Sequence, residues 1–162
     1  MYNSGKMTSL TENVDKEVIN RVMTNIKASL SSIVNKYSSR HMFTYHVDKD
    51  DEYLLARLEE GKKAATAFYT RDDAKKAIYV ALLNNMEELA WLLVSDCVHA
   101  ETTIDFDLER GIGYGYQNGT NGVFEDLHTV RVMVVKDTNS QWGFWVGNAY
   151  PVITKDIQPE VI

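Results

Sequence analysis

The stretch VRVMVVKDTNSQWGFWVGNAYPV, Val130–Val152, decides the fold. Val130–Val135 is a β-branched run, and Trp142–Tyr150 is rich in aromatic and β-branched residues, so both read as strands. Asp137–Gly143 supplies the turn between them. Upstream, Thr102–Leu108 alternates and predicts a third strand. The glycine-rich segment Gly111–Gly122 reads as a turn or bulge region between strands.

The first half of the chain carries the other periodicity. Val14, Val18, Ile19, Val22, Met23, Ile26, Leu30, Ile33, Val34 and Tyr37 recur at steps of three and four, one stripe of a long amphipathic helix. Ser38–Val47 is short and partly aromatic and reads as extended. Asp48 or Asp50 can cap a helix that runs to about Glu60 and stops at Gly61. Ala64–Tyr69 reads as a short extended piece. Thr70, with Asp73 three residues on, resembles a capping box before a helix from Arg71 that breaks near Asn84–Asn85. Helices first and strands second predict an α+β fold, with N-terminal helices packed on an antiparallel β-sheet. Residues 1–12 are expected as a flexible polar arm, and residues 13–162 as a single domain with its leading helix over 13–38 and its core over 39–152.

Composition narrows the function classes. The chain has 162 residues and a single cysteine, Cys97, so no intramolecular disulfide can form and the fold rests on packing. The N-terminus lacks the apolar run of a secretory signal, and the most apolar stretch, Ala77–Val94, is broken by Asn84, Asn85, Glu87 and Glu88. A membrane partner is therefore not expected. The net charge of −6 counts against non-specific nucleic-acid binding, DNA included. That charge is uneven: residues 1–76 carry 13 basic and 11 acidic side chains, whereas residues 77–109 carry seven acids and no Lys or Arg.

Several motifs bear on chemistry. GIGYGYQNGTNG, residues 111–122, is no dinucleotide fingerprint, because a pyrophosphate site needs a helix N-terminus after the glycines and strands flank these. Cys97 and His99 form a C-x-H pair without matching ligands, so neither metal nor cofactor is expected. His41 and His46 are the acid–base candidates; in an extended segment a spacing of five sets them on opposite faces. Arg57 reads either as a solvated helix arginine or as a fixed cation for phosphate. Asn148 and Tyr150 share a strand face, ahead of Pro151.

The order of these pieces carries a resemblance. After the leading helix come H-x4-HV (His41–Val47), LLARL (Leu54–Leu58), ATAF (Ala65–Phe68), D-x-A (Asp72–Ala74), Trp91–Leu92, a G-x-G turn and the closing NAYPV (Asn148–Val152). From about Arg40 to Val152 the chain resembles the bacterial ribonuclease A-like toxin domain, found at the C-terminus of contact-dependent growth inhibition proteins and related polymorphic toxins. The resemblance implies a curved antiparallel sheet with N-terminal helices and no disulfides, metal-independent RNA cleavage, and a cognate immunity protein. It also implies action in the cytoplasm of a target bacterium after delivery, on generic RNA or on particular tRNAs. By position, the family's active histidine matches His46, its arginine Arg57, and its closing T-x-Y Asn148 and Tyr150. Thr66 and Phe68 fall in the segment implied to bind substrate, with Ala67 where threonine is common. Asn148 stands where the family has threonine, and SSRHMF lacks the usual glycine before His41.

Cleavage through the RNA 2′-OH needs a base for that proton, an acid for the 5′-oxygen and positive charge on the transition state. The expected assignment is His46 as base or acid, Arg57 on the phosphate, and Asn148 as a substrate-orienting group. Tyr150, a phenol of ordinary pKa ~10, is expected to donate to a phosphate oxygen or move the second proton, with His41 in reserve. The alternative expectation is a degenerate domain of this type that binds a protein partner without cleaving RNA.

Overall fold

A computed structural model describes residues 4–36, 38–96 and 100–160, with side chains in the first helix from Lys16 onward. Helix α1 (Ser4–Lys36) takes in most of the stretch expected as an arm. Its apolar stripe Ile26, Leu30, Ile33 and Val34 is buried in the main core. Helix α4 (Arg71–Leu83) and helix α5 (Met86–Val94) meet at a 75° bend where the Asn84–Asn85 break was expected. Both asparagine amides donate back to the last turn of α4, Asn84 Nδ2 to Val80 O and Asn85 Nδ2 to Ala81 O, each at 2.8 Å. Those bonds satisfy carbonyls that a helix end leaves open. Among the described residues no single helix is long and apolar enough to cross a membrane.

The strands form two three-stranded antiparallel sheets, within the α+β fold expected. The first has the order β2 (Glu101–Asp107), β5 (Thr129–Lys136), β6 (Phe144–Val152), and β5–β6 is the hairpin expected across Asp137–Gly143. Its inner face supplies Ile104, Val130, Val132, Val134, Phe144, Val146 and Ala149 to the core, against α1, α4 and α5. The second sheet has the order β1 (Ala64–Phe68), β3 (Gly113–Gln117), β4 (Phe124–Leu127). It is covered on one face by helix α3 (Asp51–Glu59) through Leu54, which packs with Ala65 and Ala67.

The glycine-rich segment is therefore more than a turn. Gly113 and Gly115 alternate with Tyr114 and Tyr116 along strand β3. A Cβ on Gly113 would come within 2.5 Å of Pro151 Cγ, and one on Gly115 within 2.7 Å of Thr66 Cγ2. Only hydrogen fits on that side, so the glycines let β1 and the end of β6 close over β3. Strand β4, which no periodicity announced, completes this sheet.

Ser38–Val47 departs most from its reading. Helix α2 (Arg40–His46) replaces the extended segment. Ser39 caps it, accepting from the backbone N–H of His41 at 3.1 Å. A helix this short is not stable alone. Both its ends are pinned: Ser39 N donates to Val146 O on β6, and Asp48 N donates to Phe68 O on β1, each at 2.9 Å. The helix thus bridges the two sheets, with Met42 fully buried beneath it.

Candidate active site

His46 is the last residue of α2 and is held between the two pinning points. It is 8% exposed, and its Nδ1 is sealed from solvent without a hydrogen-bond partner. Its ring lies against that of Tyr150 on β6, with centroids 5.4 Å apart and planes tilted by 38°. Helical rather than extended backbone also brings His41 round, and its ring sits 6.3 Å from that of His46, edge-on. The opposite-face expectation for the two histidines therefore fails: five residues of helix advance only about 7.5 Å along the axis, against about 17 Å for strand. His41 is exposed and stacks at 4.4 Å on Tyr45.

The charges that act most strongly on His46 are positive. Burial lowers its pKa first, the nearby Arg57 guanidinium second, then His41 and Lys49, to about 4. The Thr66 backbone acts the other way, toward the protonated ring. At neutral pH His46 is thus an uncharged imidazole beside a cation on α3 and another on the loop before it. Helix α3 is fixed by Asp50, whose Oδ1 accepts from Tyr53 N at 2.8 Å, and it ends at Gly61 with φ of 99°. Both features were expected, and together they place half-buried Arg57 in the last turn.

Tyr150 and Asn148 share the outer face of β6 through a β-bulge. Met133 pairs with Asn148 but Val134 pairs with Val146, which leaves Gly147 as the extra residue. Before the bulge the buried positions are Phe144 and Val146; after it they are Ala149 and Pro151. The single inserted residue reverses the alternation and turns Asn148 and Tyr150 outward. Asn148 Oδ1 accepts from the N–H of Ala149 at 3.0 Å.

The two positions on β1 are otherwise engaged. Phe68 is fully buried in the main core, so its ring has no face for a base. Thr66 is 7% exposed and donates its hydroxyl to Pro151 O at 2.6 Å, tying β1 to the end of β6 beside Tyr150. Cys97 and His99 lie outside the described residues. Among the described residues no three His, Cys, Asp or Glu side chains gather as a metal cage.

One residue escaped the sequence reading. Arg131 pairs with Tyr150 across β5–β6. Its guanidinium is held by both oxygens of Asp105 on β2, Nε to Oδ1 at 2.7 Å and NH2 to Oδ2 at 2.8 Å. The available signal was a lone cation inside the apolar run VRVMVV. Two grooves, of about 800 and 820 Å³, flank α1, and neither is lined by His46, Arg57 or Tyr150. No histidine lines either groove, whereas the His46 cluster sets an imidazole against a phenol.

Comparison with known proteins places the chain by family and fold. A search of curated proteins finds no match. A chain in the crystal structure of the CdiA-CT/CdiI complex from Y. kristensenii 33638 is similar at 25% identity and a TM-score of 0.61, over 70% of this chain and 99% of that one. Residues 40–151 match the family described as the bacterial CdiA-CT RNAse A domain, a span that runs from the start of α2 to Pro151 and takes in His46, Arg57, Asn148 and Tyr150. This α+β chain, with its two antiparallel sheets and no disulfide, belongs to that family of contact-dependent growth inhibition toxin domains.

Proposed function

We propose that the chain is a metal-independent endoribonuclease that cleaves RNA by attack of the 2′-OH, giving a 2′,3′-cyclic phosphate and a 5′-hydroxyl. The observation that carries this reading is His46: a buried imidazole, uncharged at neutral pH, set against a phenol and ringed by cations. A neutral imidazole accepts a proton at its unprotonated ring nitrogen. Arg57 meets the non-bridging phosphate oxygens, as a planar guanidinium does best. Tyr150 gives its proton to the departing 5′-oxygen. Asn148 orients substrate with its amide, and exposed His41 stands as the second proton-transfer group in reserve. Thr66 acts on this site through Pro151 rather than by touching RNA.

The partner reading follows from the family. The similar chain was crystallised as a CdiA-CT/CdiI complex, which supports a cognate immunity protein for this domain and action inside a target cell. A non-cleaving, partner-binding domain is the second reading. It is favoured by Asn148, which replaces a hydroxyl and has its oxygen engaged by the Ala149 N–H.

Incubating RNA with the protein in EDTA, beside a His46→Ala control, decides between them. Cyclic-phosphate ends with the wild type and loss of at least ~100-fold in rate with the variant are expected. Equal cleavage by both proteins removes His46 from the mechanism, and no cleavage by either leaves the partner-binding reading.

A further inference from the structure

Three outward-facing side chains stand in one row across the β2–β5–β6 sheet. Asp105 pairs with Arg131, and Arg131 pairs with Tyr150. Asp105 grips the guanidinium with two nearly parallel bonds, at 2.7 and 2.8 Å, which fix its plane as well as its position. Fork-to-fork pairing leaves the remaining N–H groups of Arg131 free to face its cross-strand partner Tyr150, whose phenol also acts on the guanidinium electrostatically. Beyond Tyr150 stands His46, ring centroid to ring centroid 5.4 Å. The row thus runs from the sheet edge into the cluster around His46.

The chemistry of this row is directional. A guanidinium has donors only, so the Tyr150 oxygen faces it as an acceptor. The phenol has one proton, and while its oxygen accepts from Arg131 that proton points away from the guanidinium. A tyrosine without such a neighbour rotates its hydroxyl freely and presents proton or lone pair at random.

We propose that Arg131, braced by Asp105, is a positioning residue that aims the Tyr150 hydroxyl proton at the leaving 5′-oxygen. This rests on the ribonuclease reading above and deepens it. In the step itself the 2′-oxygen bonds to phosphorus and loses its proton to His46. The bond from phosphorus to the 5′-oxygen breaks, and that oxygen takes the Tyr150 proton. Solvent then returns a proton to the phenolate and removes one from the imidazolium. Arg131 exchanges no proton and touches no substrate; it sets where Tyr150 points and balances its developing negative charge.

The test uses two substrates that differ in what the leaving group requires. An RNA dinucleotide needs a proton on its 5′-oxygen, whereas a uridine 3′-(4-nitrophenyl phosphate) releases a phenolate that does not. Arg131→Gln is expected to lower kcat on the dinucleotide ~10–100-fold with KM nearly unchanged, and to change the nitrophenyl rate by less than ~3-fold. Arg131→Lys, still cationic and donor-only, recovers part of the loss, and Asp105→Asn falls between. Equal losses on both substrates, or a loss confined to KM, overturn the proposal. An activity-independent reading comes from the 13C ring resonance of Tyr150, assigned with Tyr150→Phe. It shifts in folded Arg131→Gln and stays close to wild type in Arg131→Lys. If wild type cleaves neither substrate, the ribonuclease reading falls, and an unmoved Tyr150 resonance separately refutes the placement by Arg131.

Discussion

Protonating His46 is expected to cost this fold a measurable part of its stability. The folded pKa is about 4 against 6.5 for the free side chain, with burial as the first cause and Arg57 as the second. Between those values the unfolded chain binds a proton that the folded chain excludes, so stability falls as pH falls. The contribution is fully present above about pH 6.5 and is lost as pH drops toward 4. At 8% exposure His46 has little solvent to screen it. Between about pH 7 and about pH 4.5 the loss is about 2 kcal/mol. A His46→Gln variant has nothing to titrate there. Urea unfolding at the two pH values is the assay, and each protein is compared with itself, so that other carboxylates cancel. With an m-value of about 2 kcal/mol/M for a chain of this size, the wild-type midpoint should fall about 1 M further than the variant's. The same depression places the acidic limb of kcat/KM near pH 4, well below that of an ordinary histidine base. Parallel falls in both midpoints would refute the reasoning, because the pocket would then be tolerating the imidazolium.

Other consequences are open to direct measurement. Asn148→Thr puts a hydroxyl beside Tyr150 and frees the position from its bond to Ala149 N–H; kcat/KM on RNA is expected to rise by about 3–10-fold, and a fall would show asparagine to be the adapted residue. Gly115→Ala drives a methyl toward Thr66, whose Cγ2 stands 2.7 Å from the new Cβ position. A cost of about 1–3 kcal/mol in urea unfolding should follow, and a neutral result would mean that β1 and β3 separate easily. RNA affinity should weaken by about tenfold or less between about 50 and 200 mM salt, as for roughly two phosphate contacts. Arg57 and Lys49 are the cations beside His46, and the chain carries −6 overall. A drop of a thousandfold would point to a basic surface beyond these two residues.

The acidic balance takes a different meaning in three dimensions. The seven acids of residues 77–109 run from α5 to just past the end of β2. One of them, Asp105, reaches back to the site by holding Arg131. None of the seven is among the main charges acting on the His46 ring, which come from Arg57, His41 and Lys49. An acidic protein therefore keeps a locally positive site.

What could be read locally was read from the sequence. Thr70 caps α4 and the Asn84–Asn85 pair ends it, because a cap is a bond between residues three or four apart. Strands β2, β5 and β6 follow from alternation and β-branching, and the stripe on α1 from its spacing. His46, Arg57 and Tyr150 were each identifiable as candidates, but nothing local says that they meet. Tertiary contacts decided that. Residues 40–46 are helical because their ends are tied to β6 and β1. Gly113 and Gly115 lie in a strand because Pro151 and Thr66 need their space. Phe68 left the substrate surface for the core, and the bulge at Gly147 turned Tyr150 outward to meet Arg131. Caps, turns and periodicity act between near neighbours and are written in the sequence. The burial, sheet closure and cross-strand pairing that assemble this site join residues up to about a hundred positions apart, and only the folded chain brings those together.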